Sequence, residues 1–354
     1  MGKFKEQLKA KQIQLIKEGS IFDGAKGGGL YRGNNYPHLL EAGKEQNNLF
    51  PDIRESVRDY FSHFGIPFWA GGNTVTSNTL SSQVSCLNHL FLVKNNADIA
   101  KIVLQNLVGS SVHIKEVLPV PERVIRKGSN KVIVENPKTY ISFEAVSLTA
   151  TNQMREGKPL RGMTRTSIDA LALVRDKDNK SILLVIEWKL VENDSGNKAP
   201  SSNSSSDEFK RGGKRIDRYM SFIKDCELDN EKVFKDVPEA KDGFRNHPLF
   251  ILPFYELMRQ TLWANNYMSD FHATDYRHIE VLPLENPMRD KSYEIGKGVK
   301  DAWTSLLNLR ATERYITADP HVVVSALQKV NRNKYGENFA ELADYLNQRY
   351  YSYK

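Results

Sequence analysis

Two patterns are scarce in this 354-residue chain, namely paired cysteines and long apolar runs. The two cysteines, Cys86 and Cys226, form no CxxC motif, which argues against a zinc site or a disulfide framework and fits a reducing compartment. No run of about 18 apolar residues occurs, so we expect no membrane span. Residues 1–12 also lack the apolar centre of a signal peptide. These absences predict a cytoplasmic protein.

Several catalytic signatures are missing as well. The chain has no GxSxG, no HExxH and no phosphate-binding loop that ends in Gly-Lys-Ser/Thr. The glycine-rich stretch 23–37 follows no strand, so we interpret it as a flexible loop. The histidines are scattered, and His38, His63 and His113 have no ligand-like neighbours. These observations argue against serine hydrolases of the GxSxG type, metalloproteases of the HExxH type and nucleotide-binding proteins that use such a phosphate-binding loop.

The composition is that of a soluble globular protein, with 40% hydrophobic and 26% charged residues. Its net charge is +7 and its pI is about 9.1. An excess of basic over acidic residues suits a polyanionic partner such as nucleic acid, although many basic proteins bind no polyanion. Charge alone therefore leaves the partner open.

Residues 166–190 are the most informative stretch. Two apolar runs, 168–174 and 182–186, flank a polar turn at 175–180 and are typical of buried strands joined as a hairpin. The first run is headed by Asp169, and the second ends in Glu187, Trp188 and Lys189. Because residues i and i+2 of a strand face the same way, Glu187 and Lys189 should point together, close to Asp169 on the partner strand. Unpaired burial of such charges is costly, so this convergence indicates a functional site.

This arrangement resembles the PD-(D/E)xK nuclease superfamily. Asp169, preceded by Ser167 and Ile168, corresponds to the "PD" element, and Glu187 with Lys189 corresponds to "(D/E)xK", 187 − 169 = 18 residues later. The departure is Ile168, which stands where the superfamily pattern has proline. Stretches 81–91, 140–145, 186–189 and 254–264 are similar to a bacterial family of restriction endonucleases.

The resemblance implies an α/β fold with a restriction-endonuclease-like core, in which helices flank a mixed central sheet and helical additions lie at both termini. It also implies a Mg²⁺-dependent DNA endonuclease, with Mn²⁺ as a substitute. Asp169, Glu187 and the carbonyl of Trp188 would be metal ligands, with Glu144 as an additional acid, and Lys189 would orient the attacking water. The catalytic set is therefore Asp169, Glu187 and Lys189.

Patterning divides the chain into a basic N-terminal segment and loop (1–50), a nuclease core with N-terminal helices (51–290) and a C-terminal helical region (291–354). Apolar spacing predicts helices at 3–18, from Pro51 to Gly65, at 78–93 and at 97–108, and further helices from Gly213 and Pro253. Strands are expected at 140–146, as the first core strand, and at 276–284, completing the sheet. The polar segment 192–213 is interpreted as a mobile loop.

Basic residues near the predicted site are candidates for binding DNA. Arg161 and Arg165 lie in a loop that leads to Asp169, while Arg211, Lys214, Arg215 and Arg218 share one face of a helix. That face could equally be only solvated. Gln83, on a helix flank, could reach the site or be structural.

Three functions remain open on the sequence. The first is restriction-type DNA cleavage, the second is repair, recombination or transposon-end cleavage with the same chemistry, and the third is a catalytically silent DNA-binding module. A double-strand break usually needs two active sites, so a homodimer is possible.

Overall fold

The polar residues 176–180 form the turn of a hairpin between two long strands. The computed structural model describes residues 3–68, 72–125, 131–156, 165–193 and 207–351, and only the backbone of 207–212. Asp176 Oδ1 accepts hydrogen bonds from the backbone N–H groups of Asp178, at 2.9 Å, and Lys180, at 2.8 Å. Asn179 takes a left-handed φ of 63°, which asparagine tolerates in turns. The predicted hairpin is confirmed.

This hairpin lies in a mixed sheet. The strands of the chain are β1 (Gly27–Tyr31), β2 (Asn34–Leu40), β3 (Ile114–Leu118), β4 (Glu122–Val124), β5 (Ile133–Glu135), β6 (Ser142–Ala145), β7 (Ile168–Asp176), β8 (Ser181–Trp188), β9 (Glu227–Leu228), β10 (Glu231–Lys232), β11 (Asp275–Val281), β12 (Ser292–Tyr293), β13 (Gly296–Lys297) and β14 (Tyr315–Ala318). The central sheet has the order β14-β11-β8-β7-β3, and β6 also pairs with β7. β8, β11 and β14 run parallel, whereas β7 is antiparallel to β8, β3 and β6.

Helices cover both faces of the sheet. They are α1 (Lys3–Glu18), α2 (Arg54–Phe64), α3 (Ser82–Leu90), α4 (Ala97–Val108), α5 (Asp207–Asp225), α6 (Phe254–Tyr267), α7 (Gly298–Ser305), α8 (Leu309–Arg314), α9 (His321–Leu327), α10 (Arg332–Tyr335) and α11 (Asn338–Leu346). The mixed sheet between helices confirms the predicted α/β, restriction-endonuclease-like class. None of the helices in the described ranges has the length and apolar character that crossing a membrane requires.

Alternate residues of the hairpin face two different apolar clusters. Ala170, Ala172 and Leu184 pack with α1–α4, α9 and α11 on one side of the sheet. Leu171, Leu183 and other residues pack with α5–α7 on the opposite side. Because both faces of the hairpin are covered, its strands carry near-continuous apolar runs rather than an alternating pattern.

Several predicted helix limits are confirmed, because their end signals are local. Gly19 follows α1 with a φ of 76°, and Gly65 ends α2 with a left-handed φ of 65°. The Ser81 side chain caps α3 by accepting a hydrogen bond from the N–H of Val84. α6 begins directly after Pro253, as predicted.

The glycine-rich stretch 23–37 is not a flexible loop. Most of it forms the β1–β2 hairpin, whose turn places Arg32 and Gly33 at positive φ of 50° and 79°. A Cβ on Gly27 or Gly29 would lie 2.3 Å from the carbonyl oxygen of Pro37 or Leu40, so these glycines allow the two strands to approach closely. The prediction was wrong because it assigned glycine to a loop where close strand packing requires it.

Three other expectations are corrected. The first strand of the central sheet is β3, which pairs with β7 and was not predicted from the sequence. Residues 140–146 therefore do not contain the first core strand. Residues 276–284 do not complete the sheet, because β14 adds an outer strand within the segment that was predicted to be helical. α5 begins at Asp207, so the end of the predicted loop 192–213 is helical, and residues 194–206 lie outside the described ranges.

Candidate active site

The register of the sheet brings acidic residues side by side on neighbouring strands. Ala170 pairs with Ile186, so Asp169 and Glu187 are the next pair along β7 and β8. Glu280 on β11 is the partner of Glu187 on the other side. Glu144 on β6 lies opposite Asp169, because Phe143 pairs with Ala170 and Ala145 pairs with Ile168. Asp169 Oδ2 also accepts a 2.8 Å hydrogen bond from the N–H of Trp188, which ties the two strands together at this point.

Lys189 lies directly after β8 and is 7% exposed. Its Nζ is 3.0 Å from Glu187 Oε1 and 2.5 Å from Glu256 Oε2. Its backbone N–H donates to the carbonyl of Val281 at 2.9 Å, which continues the β8–β11 pairing past Trp188. The ammonium is therefore held between two carboxylates from different elements, β8 and α6. Glu256 has no local sequence signal that links it to the hairpin, so its place at the site was not predicted from the sequence.

Burial dominates the electrostatics of the two predicted ligands. Desolvation, and then the negative charges of Glu187 and Glu144, raise the pKa of Asp169 well above its usual range, against the N–H of Trp188 and the charge of Lys189. Desolvation likewise raises the pKa of Glu187 to about 7, opposed by Lys189 and assisted by Glu256 and Glu144. The site therefore favours a positive charge, because its carboxylates repel one another in a poorly solvated place.

Glu144 has a backbone conformation that a regular strand does not adopt. Its φ is 49°, an uncommon conformation for a residue other than glycine. Its Oε1 accepts a 2.7 Å hydrogen bond from Nε2 of Gln83, and its Oε2 accepts a 2.7 Å hydrogen bond from the hydroxyl of Ser167. Both carboxylate oxygens are thus held by neutral donors at the edge of the Asp169–Glu187 pair.

Gln83 therefore lies at the site, in the first turn of α3. It lines a narrow crevice together with Cys86, Leu87, Glu144 and Asp169. Burial, followed by the charges of Asp169, Glu144 and Glu187, raises the pKa of the Cys86 thiol, so Cys86 remains a neutral wall of this crevice. Helical spacing had placed Gln83 on a flank and left its role open.

A buried polar network supports the start of β7. Glu156 accepts hydrogen bonds from the N–H of Thr166 at 2.7 Å, from the Thr166 hydroxyl at 2.5 Å and from Arg259 Nη2 at 3.3 Å. The Tyr219 hydroxyl donates to the same carboxylate. Although burial alone would raise it, the pKa of Glu156 is lowered by the charge of Arg259 and by these donors. This network joins α5 and α6 to the residue three positions before Asp169.

The donor set can be compared with what a metal ion requires. Within the described ranges, no three His, Cys, Asp or Glu side chains form a group that could hold an ion. Asp169 and Glu187 offer two carboxylates from adjacent strands, and Glu144 is engaged by Gln83 and Ser167. Mg²⁺ commonly uses one or two carboxylates together with several waters, and oxygen donors are its preferred ligands. The pair fits such an ion in donor type and in its negative charge, which Lys189 offsets only in part.

The predicted DNA-binding residues fall into three groups. Arg165 is only 1% exposed, and its guanidinium donates to the carbonyls of Ala150, at 2.9 Å, and Thr151, at 3.4 Å. Its predicted contact with DNA is therefore corrected, because its side chain is buried against the backbone of Ala150 and Thr151. Arg161 lies outside the described residues, as does the side chain of Arg211.

The remaining three basic residues lie on α5 and are exposed to different degrees. Lys214 is exposed, while Arg215 and Arg218 are half-buried. The Arg215 guanidinium carbon lies 5.0 Å from the ring centre of Tyr255, and that of Arg218 lies 5.8 Å from the Tyr219 ring. Tyr255 immediately precedes Glu256, the partner of Lys189. Arg215 therefore packs against the residue that precedes Glu256 in α6.

A family model described as restriction endonuclease associating with ARP matches residues 9–351. No curated protein and no solved structure gives a significant match.

Proposed function

The chain belongs to the family of restriction endonucleases associating with ARP, and from this premise we propose that it cleaves DNA by metal-assisted hydrolysis at Asp169, Glu187 and Lys189. The main support is the pairing of two desolvated carboxylates on adjacent strands, with a buried ammonium 3.0 Å from one of them. A stable fold gains little from such a cluster, because each buried charge costs several kcal/mol of solvation. Hydrolysis of a phosphodiester makes use of all three groups.

Lys189 would position the attacking water. An ammonium beside the reacting phosphate can hold a water molecule and stabilise its hydroxide form. Glu187 and Glu256, at 3.0 Å and 2.5 Å, fix the ammonium from two sides. We therefore assign Glu256 as a positioning residue that acts through Lys189.

Asp169, Glu187 and the carbonyl of Trp188 would hold Mg²⁺, with Mn²⁺ as a substitute. When bound, the ion would supply positive charge for the phosphoryl oxygens and the leaving oxygen. Glu144, fixed by Gln83 and Ser167, would add negative charge at the edge of this pair and orient a water molecule.

The basic face of α5 would bind the DNA backbone. Lys214, Arg215 and Arg218 lie on one side of this helix, and Arg215 stacks on Tyr255 next to the partner of Lys189. Cations on a helix next to the catalytic groups would place a phosphodiester over them. The family match favours restriction over repair, recombination or transposon-end cleavage. A homodimer that delivers two active sites stays a prediction.

The test is incubation of the purified protein with Mg²⁺ and a panel of DNAs, modified and unmodified, with RNA in parallel. We expect cleavage of DNA that stops in EDTA and is restored by Mg²⁺ or Mn²⁺. Dependence of cutting on base modification would support the restriction role. Failure to cut any DNA in this panel, or cutting that persists in EDTA, would contradict the proposal.

A further inference from the structure

The β1–β2 hairpin ends in an exposed tip of unusual composition. Every residue from 30 to 35 is exposed, and the adjacent Leu30 and Tyr31 are 72% and 50% exposed. The guanidinium carbon of Arg32 lies 5.2 Å from the Tyr31 ring centre, and two asparagines follow the turn. Neighbouring exposed apolar side chains beside a cation are typical of a contact surface.

The hairpin is a fixed ribbon. Tyr31 pairs with Asn34 and Leu30 with Asn35, so only Arg32 and Gly33 form the turn. At the base, Leu39 bridges to Asn78, the N–H of Leu40 donates to the Ser77 carbonyl at 3.0 Å, and the Thr79 hydroxyl donates to the His38 carbonyl at 2.8 Å. The tip is therefore presented on a preorganised support, which lowers the entropy lost on binding.

The base of the ribbon lies beside lysines of α1. Burial, followed by the charges of Lys9 and Lys5, lowers the pKa of His38 on β2, while Glu6 opposes these charges. Lys9 also lies 3.9 Å from Glu6, so one acid accompanies the two lysines. Arg32 at the tip and Lys5 and Lys9 beside the base place positive charge at both ends of the ribbon, which suits a polyanion, while Glu6 and Glu41 near the base oppose it.

The ribbon leaves the molecule close to the candidate active site. The segment paired with its base, 77–79, runs directly into the Ser81 cap of α3, and Gln83 in the first turn of α3 reaches Glu144. A strand of 7 residues at a rise of about 3.3 Å per residue extends about 20 Å. The length of β2 is therefore about that of six base-pair steps along duplex DNA.

We propose that the β1–β2 hairpin enters the major groove of the DNA substrate and reads bases there, with Leu30, Tyr31, Arg32, Asn34 and Asn35 as the contacting residues. This inference rests on the proposed nuclease function. The major groove is about 12 Å wide and admits a two-stranded ribbon. Arginine and asparagine match the hydrogen-bonding edges of guanine and adenine, and an apolar side chain matches the thymine methyl group. A surface that bound only phosphates would gain nothing from an exposed leucine.

The test compares the parent with the double variant Leu30→Ala/Arg32→Ala. A matched control is Leu309→Ala/Arg310→Ala, since Leu309 is 69% exposed and Arg310 is also exposed. Both control residues lie in α8, which leads into the N-terminal end of β14. Lys189 follows the C-terminal end of β8, and β8, β11 and β14 run parallel, so the control residues and Lys189 lie at opposite ends of these strands. All these side chains are on the surface, so the three proteins should melt at similar temperatures.

The measurement is selection from a pool of random-sequence duplexes in EDTA, followed by titration of the selected duplex. We expect the hairpin variant to bind the parent's selected duplex roughly tenfold more weakly, to lose preference at one base or more, and the control to match the parent. An unchanged affinity and motif in the hairpin variant would overturn this inference alone. A parent that binds no duplex DNA would overturn the proposed function as well.

Discussion

Replacing Glu187 by Gln should make the metal-free protein more stable, and increasingly so as the pH rises. Burial raises the pKa of Glu187 from 4.5 to about 7. A carboxyl group whose pKa is raised by folding stabilises the fold below pH 4.5, and this contribution is lost as the pH rises through 7. The parent therefore loses stability across this window, whereas glutamine cannot ionise.

The magnitude follows from the shift of 7 − 4.5 = 2.5 units. At about 1.36 kcal/mol per unit, the parent's free energy of unfolding falls by about 3 kcal/mol in total as the pH rises, and about 2 kcal/mol of this decrease falls between pH 5 and 8. In the variant the 3.0 Å contact with Lys189 loses its negative partner, because the amide oxygen of glutamine is neutral, but Glu256 still holds that ammonium at 2.5 Å. The pKa of Asp169 should lie nearer its usual range in the variant, since Glu187 is one cause of its increase. This effect also makes the variant more stable than the parent as the pH rises.

The assay is urea unfolding of the parent and Glu187→Gln in EDTA at several pH values between 5 and 8. The control is Glu239→Gln, whose side chain is 99% exposed. We expect the stability difference between variant and parent to grow by about 2 kcal/mol across this range, and the control to follow the parent. Parallel curves for Glu187→Gln and the parent would refute the reasoning that this carboxylate is desolvated and repelled by its neighbours.

Three further predictions concern the roles of individual residues. Lys189→Ala should slow cleavage about 10²- to 10⁴-fold yet keep the rise in melting temperature that Mg²⁺ gives the parent, because the ligands remain; loss of that rise would place Lys189 among the ligands. Glu256→Ala should lower kcat roughly tenfold or more with little change in KM, because it removes a hydrogen bond to a charged group that is worth about 1.5–3 kcal/mol; an unchanged kcat would remove Glu256 from the positioning of Lys189. Lys214→Ala/Arg218→Ala should reduce the log–log dependence of DNA affinity on salt by about one unit per lost phosphate contact, and an unchanged slope would show that this face is only solvated.

The hairpin that carries the site could be derived from the sequence, because its signals are local. Two apolar runs, a polar turn and the two-residue period of a strand place Asp169 beside Glu187 without knowledge of the remaining chain. The turn chemistry at Asp176 and Asn179 agrees with this register. Local consistency of this kind is what makes a segment predictable.

The partners of that hairpin could not be derived in the same way. Glu256 reaches Lys189 from α6, 256 − 189 = 67 residues later, and no period links the two positions. Glu144 takes a φ of 49°, which strand alternation does not anticipate. Arg165 looked like a surface cation because its sequence neighbours are polar, but its side chain is buried and its Nη2 donates to the carbonyls of Ala150 and Thr151. These positions depend on tertiary contacts between distant segments.

The most direct test of the central claim is cleavage in Mg²⁺ by the parent, Asp169→Ala and Glu187→Ala, with a DNA that the parent cuts and Glu239→Ala as the control. Circular dichroism should show that all four proteins are folded. We predict that the two site variants lose cleavage by orders of magnitude, while the control cuts as the parent does. Equal cutting by the parent and by either site variant would mean that the active site lies elsewhere in the chain.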